Sequence, residues 1–241
     1  MQATIITTAT TTTITTNMTE AAGLIRLMSW FSPAMPTGTF AYSGGLETAV
    51  HDRRVVTAEQ LHDWIGTSLF HGVAWNDAVL MAESWRCGHD GQDANLGEIA
   101  DLAVGLAGSH ARLDETLSLG RSFLHAAALW PAMAGAANMT TDDVPYPVAT
   151  GWACGKAGIP LSRTVAALLQ GYVSAQLQVA IRLSVVGQFE AAKLLAGFET
   201  VISAAADSAS ATTRNDLGSC AMLAEIAAMR HETLESRLFR S

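Results

Sequence analysis

The sequence predicts an all-α protein, a single-domain bundle of about 8–10 helices behind a disordered, threonine-rich N-terminal tail. Apolar residues recur at spacings of three and four between Arg163 and Ser184, which is the period of a helix with one buried face. No stretch of the sequence alternates apolar and polar residues between hairpin turns, as strands would. Clusters of Pro, Gly and Asp at 32–40, 87–97 and 138–147 predict loops between helices.

Residues 1–19 are predicted to be the disordered tail. Positions 4–16 are mostly threonine, and such a run buries too little apolar surface to offset an ordering entropy of roughly 1–2 kcal/mol per residue. The stretch lacks the basic start of a secretory signal and the continuous apolar run of a membrane anchor. Met18 is an alternative start of the natural protein.

Residues 20–241 are predicted to form the helical domain. Pro160 and Ser162 stand where the helix over 163–184 would begin. The other predicted helices cover 20–31, 57–70, 74–87, 94–107, 110–129, 146–157, 187–203 and 218–232. The sequence shows no linker long enough to divide this region, and no later segment has the ~20 uninterrupted apolar residues of a membrane span.

Composition excludes some classes of partner and favours others. A net charge of −8 argues against nucleic-acid binding, because phosphate contacts need clustered basic residues. Only Lys156 and Lys193 among 14 basic residues are lysines, and this arginine bias favours protein interfaces.

Cys87, Cys154 and Cys220 are odd in number and lack CxxC spacing, which indicates a reducing cytoplasm and thiols in the core. With 49% apolar residues, the chain is expected to expose apolar patches and to aggregate without a partner.

The stretch from Ser32 to Val50 predicts a shaped loop followed by a helix. Its prolines end the preceding helix, Gly38 permits a left-handed turn, and Ser43 is positioned to cap the next helix with Glu47 in its first turn. Phe40 and Tyr42 either pack in the core or contact a partner. Glu47 has no evident packing role in the sequence, which makes it a candidate functional residue.

The familiar catalytic signatures are missing from the sequence, including the phosphate loop, the HExxH zinc helix and the GxSxG elbow. Cys87 and His89 stand two apart on a predicted loop and, with His231, are the candidate metal ligands. The alternative is a loop cysteine, a solvated histidine, and a His231 that faces a helix terminus or a carboxylate. A helical enzyme would have to draw its carboxylates from Glu47, Asp114 and Glu115.

The last twelve residues, RHETLESRLFRS, are unusually dense in charge for this apolar chain. Leu234, Leu238 and Phe239 are apolar anchors, and Arg230, Arg237 and Arg240 can pair with carboxylates of a partner. The stretch at 230–241 is therefore predicted to be a partner-docking tail. The alternative is a terminus that packs Phe239 onto the protein's own helices.

Several stretches of the chain together resemble the UreF family of urease accessory proteins. They are LIRLMSWFSPAMPTGTFAYSGGLE at 24–47, DETLSLGRSFL at 114–124, YPVATGWACGKAGIP at 146–160, GYVSAQLQVAIRLSVVGQ at 171–188 and the terminal AEIAAMRHETLESRLFRS. Thr39, Leu113 and Asp114 depart from the family pattern, and the threonine-rich start has no counterpart there. The resemblance implies an all-helical, cofactor-free cytoplasmic assembly factor, not an enzyme.

The same resemblance implies partners and residues that bind them. It implies a homodimer that binds UreD (also called UreH) and recruits and regulates the GTPase UreG, so that nickel reaches apo-urease. The implied UreD-docking residues are Arg237, Leu238, Phe239, Arg240 and Ser241. Those of the dimer and UreG region are Tyr42, Ser43, Gly45, Leu46, Glu47 and Lys156. Arg121 and Arg182 are expected to bond internally, to helix ends or to Glu47 and Glu115. The rival function is a direct nickel-binding metallochaperone that uses Cys87, His89 and His231.

Overall fold

A computed structural model describes residues 20–133 and 144–241 and confirms the all-α class. The described residues form α-helices and short 3₁₀ turns, with no strand among them. The helices are α1 (20–30), α2 (Leu46–His51), α3 (Ala58–His71), α4 (Val73–Asp90), α5 (Leu96–Gly105), α6 (His110–Ala127), α7 (Tyr146–Lys156), α8 (Leu161–Arg182), α9 (Gln188–Gly197), α10 (Glu199–Ala211) and α11 (Met222–His231). The predicted N-terminal tail at 1–19 and most of the predicted loop at 138–147 lie outside these residues.

Helices α4 and α7 pack closely against each other, and glycines make that contact possible. A Cβ atom on Gly88 of α4 would collide with the backbone of Trp152, and one on Gly151 or Gly155 of α7 would collide with the backbone of α4. Two helical backbones can approach this closely only where the side chains between them are absent. Any larger residue at these three positions is therefore expected to separate the helices.

The predicted loop at 87–97 was wrong over its first residues, because α4 continues to Asp90. Cys87 and Gly88 are buried against α7, so tertiary packing stabilises a helical turn that the local sequence disfavours. The helix ends at Gly91, whose φ of +71° provides a left-handed C-cap. Cys87 and His89 therefore lie on a helix rather than on a loop.

The helix predicted over 187–203 is two helices, α9 and α10, and the helix predicted over 218–232 begins only at Met222. The break between α9 and α10 turns Phe198 into the core, where its ring stacks on His62 with centroids 4.8 Å apart. The sequence marks this turn only by Gly197, without a proline. A buried aromatic contact rather than a local breaker sets the direction of the chain here.

The core consists of two apolar clusters that meet. One cluster is built around α3, α8 and α10, and the other around α1, α6 and α7, while Phe31, Tyr146 and Leu217 pack against both.

Cys87 and Cys154 are buried as predicted, but Cys220 is exposed, so the prediction of three core thiols was wrong for that residue. Of the described helices α8 alone has the length and hydropathy of a membrane span, and half of that stretch is buried in the fold, as in an ordinary core helix.

Candidate functional site

The C-terminal residues lie against the loop that precedes α2. The backbone N–H of Arg240 donates to the carbonyl of Ala41 at 2.7 Å, and the N–H of Ser43 donates to Ser241 O at 2.6 Å. The Ser43 hydroxyl donates to the same oxygen of Ser241. We call residues 237–241 the C-terminal pentapeptide, and we call residues 41–47 together with His231 the tail seat.

Glu47 is the centre of the tail seat. Its Oε1 accepts the N–H of Leu238 at 2.7 Å, and its Oε2 accepts the N–H of Phe239 at 3.2 Å. The same Oε2 lies 2.8 Å from Nε2 of His231, whose side chain is fully buried. Two consecutive backbone donors and an imidazole thus converge on one carboxylate, which is 7% exposed as a residue. Glu47 therefore has a structural role that the sequence did not reveal.

His231 meets Glu47 through one nitrogen only. Its Nδ1 has no hydrogen-bond partner among the described residues. A carboxylate only accepts, so Nε2 is the donor in the hydrogen bond to Glu47. The interpretation of His231 as a helix-terminal histidine that faces a carboxylate is confirmed.

The pentapeptide divides its side chains between the core and the surface. Phe239 is 4% exposed and packs in the larger core cluster, under the guanidinium of Arg182 at 4.2 Å from the ring centroid. Arg182 also donates to the carbonyl of Phe40 at 3.0 Å. Leu238, by contrast, is 63% exposed, and Arg237 and Arg240 are exposed as well. The conformation therefore fits the alternative in which Phe239 packs on the protein's own helices, while Leu238 and both arginines face outward.

Gly44 and Gly45 form the turn that aims Ser43 and Glu47 at the pentapeptide. Both have positive φ, and Gly45, at +84°, precedes the first residue of α2. A Cβ on Gly45 would lie 2.7 Å from the backbone nitrogen of Ala228 in α11. The predicted capping of α2 by the Ser43 side chain was wrong, because the Ser43 hydroxyl is turned toward Ser241 and the capping residue is Gly45.

A largely buried charged cluster lies beneath the pentapeptide. Arg112 donates to Asp77 at 2.6 Å and lies 3.5 Å from Glu115, and all three side chains are 13–19% exposed. The Ser241 hydroxyl donates to Glu115 at 3.3 Å. Burial raises the pKa of both carboxyl groups, although Arg112 opposes the rise, and the two carboxylates hold the pKa of Arg112 above its usual range in spite of burial. The cluster thus joins the end of the chain to α4 and α6.

The charged cluster separates two cavities of about 120 and 270 Å³. Gly44, Asp77, Arg112 and Glu115 line both of them. Tyr172 lines the smaller cavity, and burial raises the pKa of its hydroxyl to about 12, so that it stays protonated at neutral pH. Ser241 lines the larger cavity, which makes the last residue part of a cavity wall.

Lys156 has a partner within the chain. Its Nζ lies 2.9 Å from Asp93 Oδ2 and 5.9 Å from the centroid of the Trp152 ring, and the Trp152 indole N–H donates to Asp93 at 2.9 Å. The ion pair lowers the pKa of Asp93 against the opposing effect of its partial burial. The lysine was predicted to be a surface contact because nothing else explained it, and the structure supplies that explanation. Its side chain is 31% exposed and remains reachable.

The candidate metal ligands are not assembled into a site. Cys87 is buried, and burial raises the pKa of its thiol, while the His89 ring stacks on Trp85 with centroids 4.6 Å apart. Within 20–133 and 144–241 no group of three or more His, Cys, Asp or Glu side chains could hold a metal ion. Asp114, a candidate for a carboxylate enzyme, is 67% exposed beside His110, whereas the side chain of Glu115 is 13% exposed and pairs with Arg112.

Comparison with known proteins shows the family to which this chain belongs. The family model of UreF matches residues 55–199. The chain belongs to the UreF family. It is 48% identical over 230 residues to the urease accessory protein UreF of Brucella ovis, an alignment that spans 95% of this chain and 98% of that protein. The UreF protein of Mesorhizobium japonicum is 48% identical over 226 residues, which cover 94% of this chain and 100% of that protein. The UreF protein of Rhizobium leguminosarum bv. viciae is 49% identical over 222 residues, which cover 92% of this chain and 98% of that protein.

The structure unites two sets of residues that the UreF resemblance kept apart. The loop residues assigned to a dimer and UreG region and the C-terminal residues assigned to UreD hold each other in one seat. Their roles in binding partners stay predictions. The sequence analysis did not identify Arg112 as part of the site. An arginine three residues before Glu115 in a predicted helix does indicate an ion pair between the two side chains. Of the arginines expected to bond internally, Arg182 bonds to the Phe40 carbonyl and not to either glutamate.

Proposed function

We propose that this chain acts in the cytoplasm as a urease accessory protein, an assembly factor rather than an enzyme. In this proposal it forms a homodimer, binds UreD/UreH through its C-terminal end, and recruits and regulates the GTPase UreG for nickel insertion into apo-urease. The family and its urease accessory relatives support the general role. The surface at the C-terminal end supports the UreD assignment.

The supporting observation is the way the tail seat presents the pentapeptide. The inward contacts of Glu47 and Phe239 fix the backbone, so Leu238 and the two arginines face outward at little further loss of conformational entropy on binding. An apolar stripe on α11 offers further contact area. The stripe consists of Met222, Leu223, Ile226 and Met229, each 46–69% exposed. A partner with an apolar patch rimmed by carboxylates fits this surface.

For UreG, a platform that binds one nucleotide state preferentially is the simpler mechanism. To favour one conformation of UreG, this chain needs only a higher affinity for that conformation than for the other. To accelerate GTP hydrolysis directly, it would have to place an arginine side chain in the active site of UreG. Lys156 is the proposed contact, since a carboxylate of UreG can compete with Asp93 for its ammonium group. Lys156→Ala is then expected to weaken the capture of UreG while leaving the capture of UreD unchanged.

The test of the UreD assignment is co-purification with UreD and UreG of the same organism. The full chain is compared with Leu238→Asp, a change at a side chain that is 63% exposed. The matched control is Phe189→Asp on α9, where the phenylalanine is 94% exposed. We expect Leu238→Asp to lose at least tenfold in UreD affinity, and Phe189→Asp to bind like the wild type.

Truncation after Met229 is the stronger change and should abolish UreD capture, although it also removes the His231 contact to Glu47. Equal capture by the full chain, the truncated chain and Leu238→Asp would contradict the docking role of the tail. If the folded full chain captures neither UreD nor UreG, the alternative of a direct nickel metallochaperone is tested by equilibrium dialysis with nickel and the Cys87→Ala variant.

A further inference from the structure

The smaller of the two cavities at the charged cluster has aromatic walls, and we call it the aromatic cavity. It measures about 120 Å³, and its lining includes five aromatic residues, which are Trp30, Phe31, Tyr42, Tyr146 and Tyr172. Of the described residues that line the larger cavity, none is aromatic. Aromatic rings attract a cation to their electron-rich faces. The smaller cavity is therefore the better suited of the two to a positively charged ligand.

The charges around the aromatic cavity do not cancel. Asp77 and Glu115 contribute two carboxyl groups to its lining, and Arg112 contributes one guanidinium group. The other described residues of the lining are uncharged. Burial raises the pKa of both carboxyl groups although Arg112 opposes the rise, so one guanidinium group does not compensate two buried carboxylates. A second cation in the cavity would stabilise their ionised forms.

Two residues that line the aromatic cavity each keep a buried polar atom without a hydrogen-bond partner in the described part of the chain. These atoms are Oε1 of Gln176, which is an acceptor, and Nε1 of Trp30, which is a donor. Gln176 is 4% exposed and Trp30 is 1% exposed. Buried polar atoms without partners are costly, so the cavity favours an occupant that donates to Gln176 and accepts from Trp30.

The size of the cavity limits this occupant to a small molecule. A volume of about 120 Å³ equals that of roughly four water molecules at ~30 Å³ each. The described residues of the lining are all buried or half-buried, which favours a free small molecule over a side chain of a docked protein. A primary ammonium group supplies the positive charge and the N–H donors, and a hydroxyl group supplies the acceptor. We infer that the aromatic cavity binds a small protonated amino alcohol, of which ethanolammonium is the simplest.

The proposed ligand site adjoins the residues that hold the end of the chain. Nε2 of Gln176 donates to the carbonyl of Ser43 at 3.1 Å, and Glu115 accepts the hydroxyl of Ser241. A ligand bound by Gln176 and Glu115 restricts both side chains, and it stabilises the conformation of the tail seat to which it binds. Occupancy is therefore expected to slow hydrogen exchange at the backbone amides of the pentapeptide.

The test is an NMR titration of the purified full-length protein with ethanolammonium chloride at pH 7, with sodium chloride at the same ionic strength as the blank. A ligand of so few atoms is expected to bind with a Kd on the order of 1 mM. Ethylammonium keeps the charge and lacks the hydroxyl group, and we expect it to bind about fivefold more weakly. Ethylene glycol keeps the hydroxyl groups and lacks the charge, and it should bind more weakly by at least about tenfold.

Three variants of the chain locate the bound cation. Glu115→Gln removes one carboxylate from the lining and should raise the Kd of ethanolammonium at least about tenfold. Asp114→Asn changes the neighbouring carboxylate, which is 67% exposed, and as the matched control it should bind like the wild type. Trp30→Phe keeps an aromatic ring and removes the N–H donor, so it should bind ethanolammonium and ethylammonium equally well.

Two results would overturn the inference. A folded wild type that shows no saturable binding of ethanolammonium would indicate that the cavity holds water alone. Equal Kd values for ethanolammonium in the wild type, Glu115→Gln and Trp30→Phe would show that the cation binds elsewhere on this acidic chain. If Glu115→Gln does not fold, the comparison of the two ammonium ions in Trp30→Phe decides the question.

Discussion

The two ends of α6 carry surfaces that differ in how far the chain satisfies them itself. At the tail seat, Glu47 receives three hydrogen bonds and Phe239 is buried, so the pentapeptide is held without a partner. At the other end, where α1 passes the C-terminal end of α6, Ile25, Met28 and Leu129 stay exposed. Directional polar contacts fix the conformation at the first end, while the second end keeps apolar area available for burial. Substitutions at the tail seat should therefore affect folding stability, whereas those at the exposed residues of α1 and α6 should leave it nearly unchanged.

The largest effect is expected from Glu47→Ala. The change leaves the N–H groups of Leu238 and Phe239 and the His231 imidazole without their acceptor in a buried site, and each unsatisfied donor costs about 1–3 kcal/mol. We expect a loss of about 3 kcal/mol or more in the free energy of unfolding, measured by urea denaturation.

The matched control for Glu47→Ala is Glu59→Ala, which removes an exposed glutamate from the first turn of α3. Hydrogen exchange should accelerate at Leu238 and Phe239 in the Glu47 variant only. Unchanged protection of these two amides would show that Glu47 does not hold the pentapeptide.

Gly45→Ala should have the next largest effect, and Gly38→Ala is its internal control. Both glycines have φ near +85°, so both substitutions carry a backbone strain of about 1–2 kcal/mol. Only at Gly45 would the new Cβ meet another helix, at 2.7 Å from the nitrogen of Ala228, while nothing lies within 4 Å at Gly38. Urea denaturation should show that Gly45→Ala loses more stability than Gly38→Ala. Equal losses would show that α11 moves away freely and that the tail seat is less rigid than its contacts indicate.

The buried cluster beneath the pentapeptide predicts a pH dependence of stability. The pKa of Glu115 is raised in the folded state, so above the ordinary value of 4.5 the folded protein holds more protons than the unfolded chain. Unfolding then releases protons, and stability falls as pH rises through the raised pKa, by at most about 1.4 kcal/mol per pH unit for one proton. Glu115→Gln removes this contribution and leaves the Asp77–Arg112 pair intact.

Stability curves against pH should therefore converge for Glu115→Gln and the wild type at acid pH. The variant should gain relative to the wild type as pH rises. Asp114→Asn, which changes the adjacent and exposed carboxylate, is the control and should run parallel to the wild type. A variant curve with the slope of the wild type would contradict a raised pKa at Glu115.

Helices with a periodic apolar face could be predicted from the sequence, whereas features that depend on contacts between distant parts of the chain could not. The stripe on α8 and the helix from Ala58 to His71 follow from spacing alone, because each helix buries one face. The extension of α4 through Cys87 and Gly88 depends on packing against α7, which no local pattern shows. Glu47 illustrates the same limit within the candidate site, because the three groups that donate to its carboxylate lie 184–192 residues further along the chain. The groove between α1 and the C-terminal end of α6 likewise forms only when the two helices come together.

The smallest predicted effect distinguishes the two hydrogen bonds that Ser43 makes to the last residue. Ser43→Ala removes the hydroxyl donor and keeps the backbone N–H to Ser241 O, so we expect a loss of about 1 kcal/mol by urea denaturation. Deletion of Ser241 removes the acceptor of both bonds, and Ser43→Ala should then cost almost nothing more. This double-mutant cycle isolates the contact. An undiminished effect of Ser43→Ala in the shortened chain would show that the serine stabilises the turn before α2 independently of the pentapeptide.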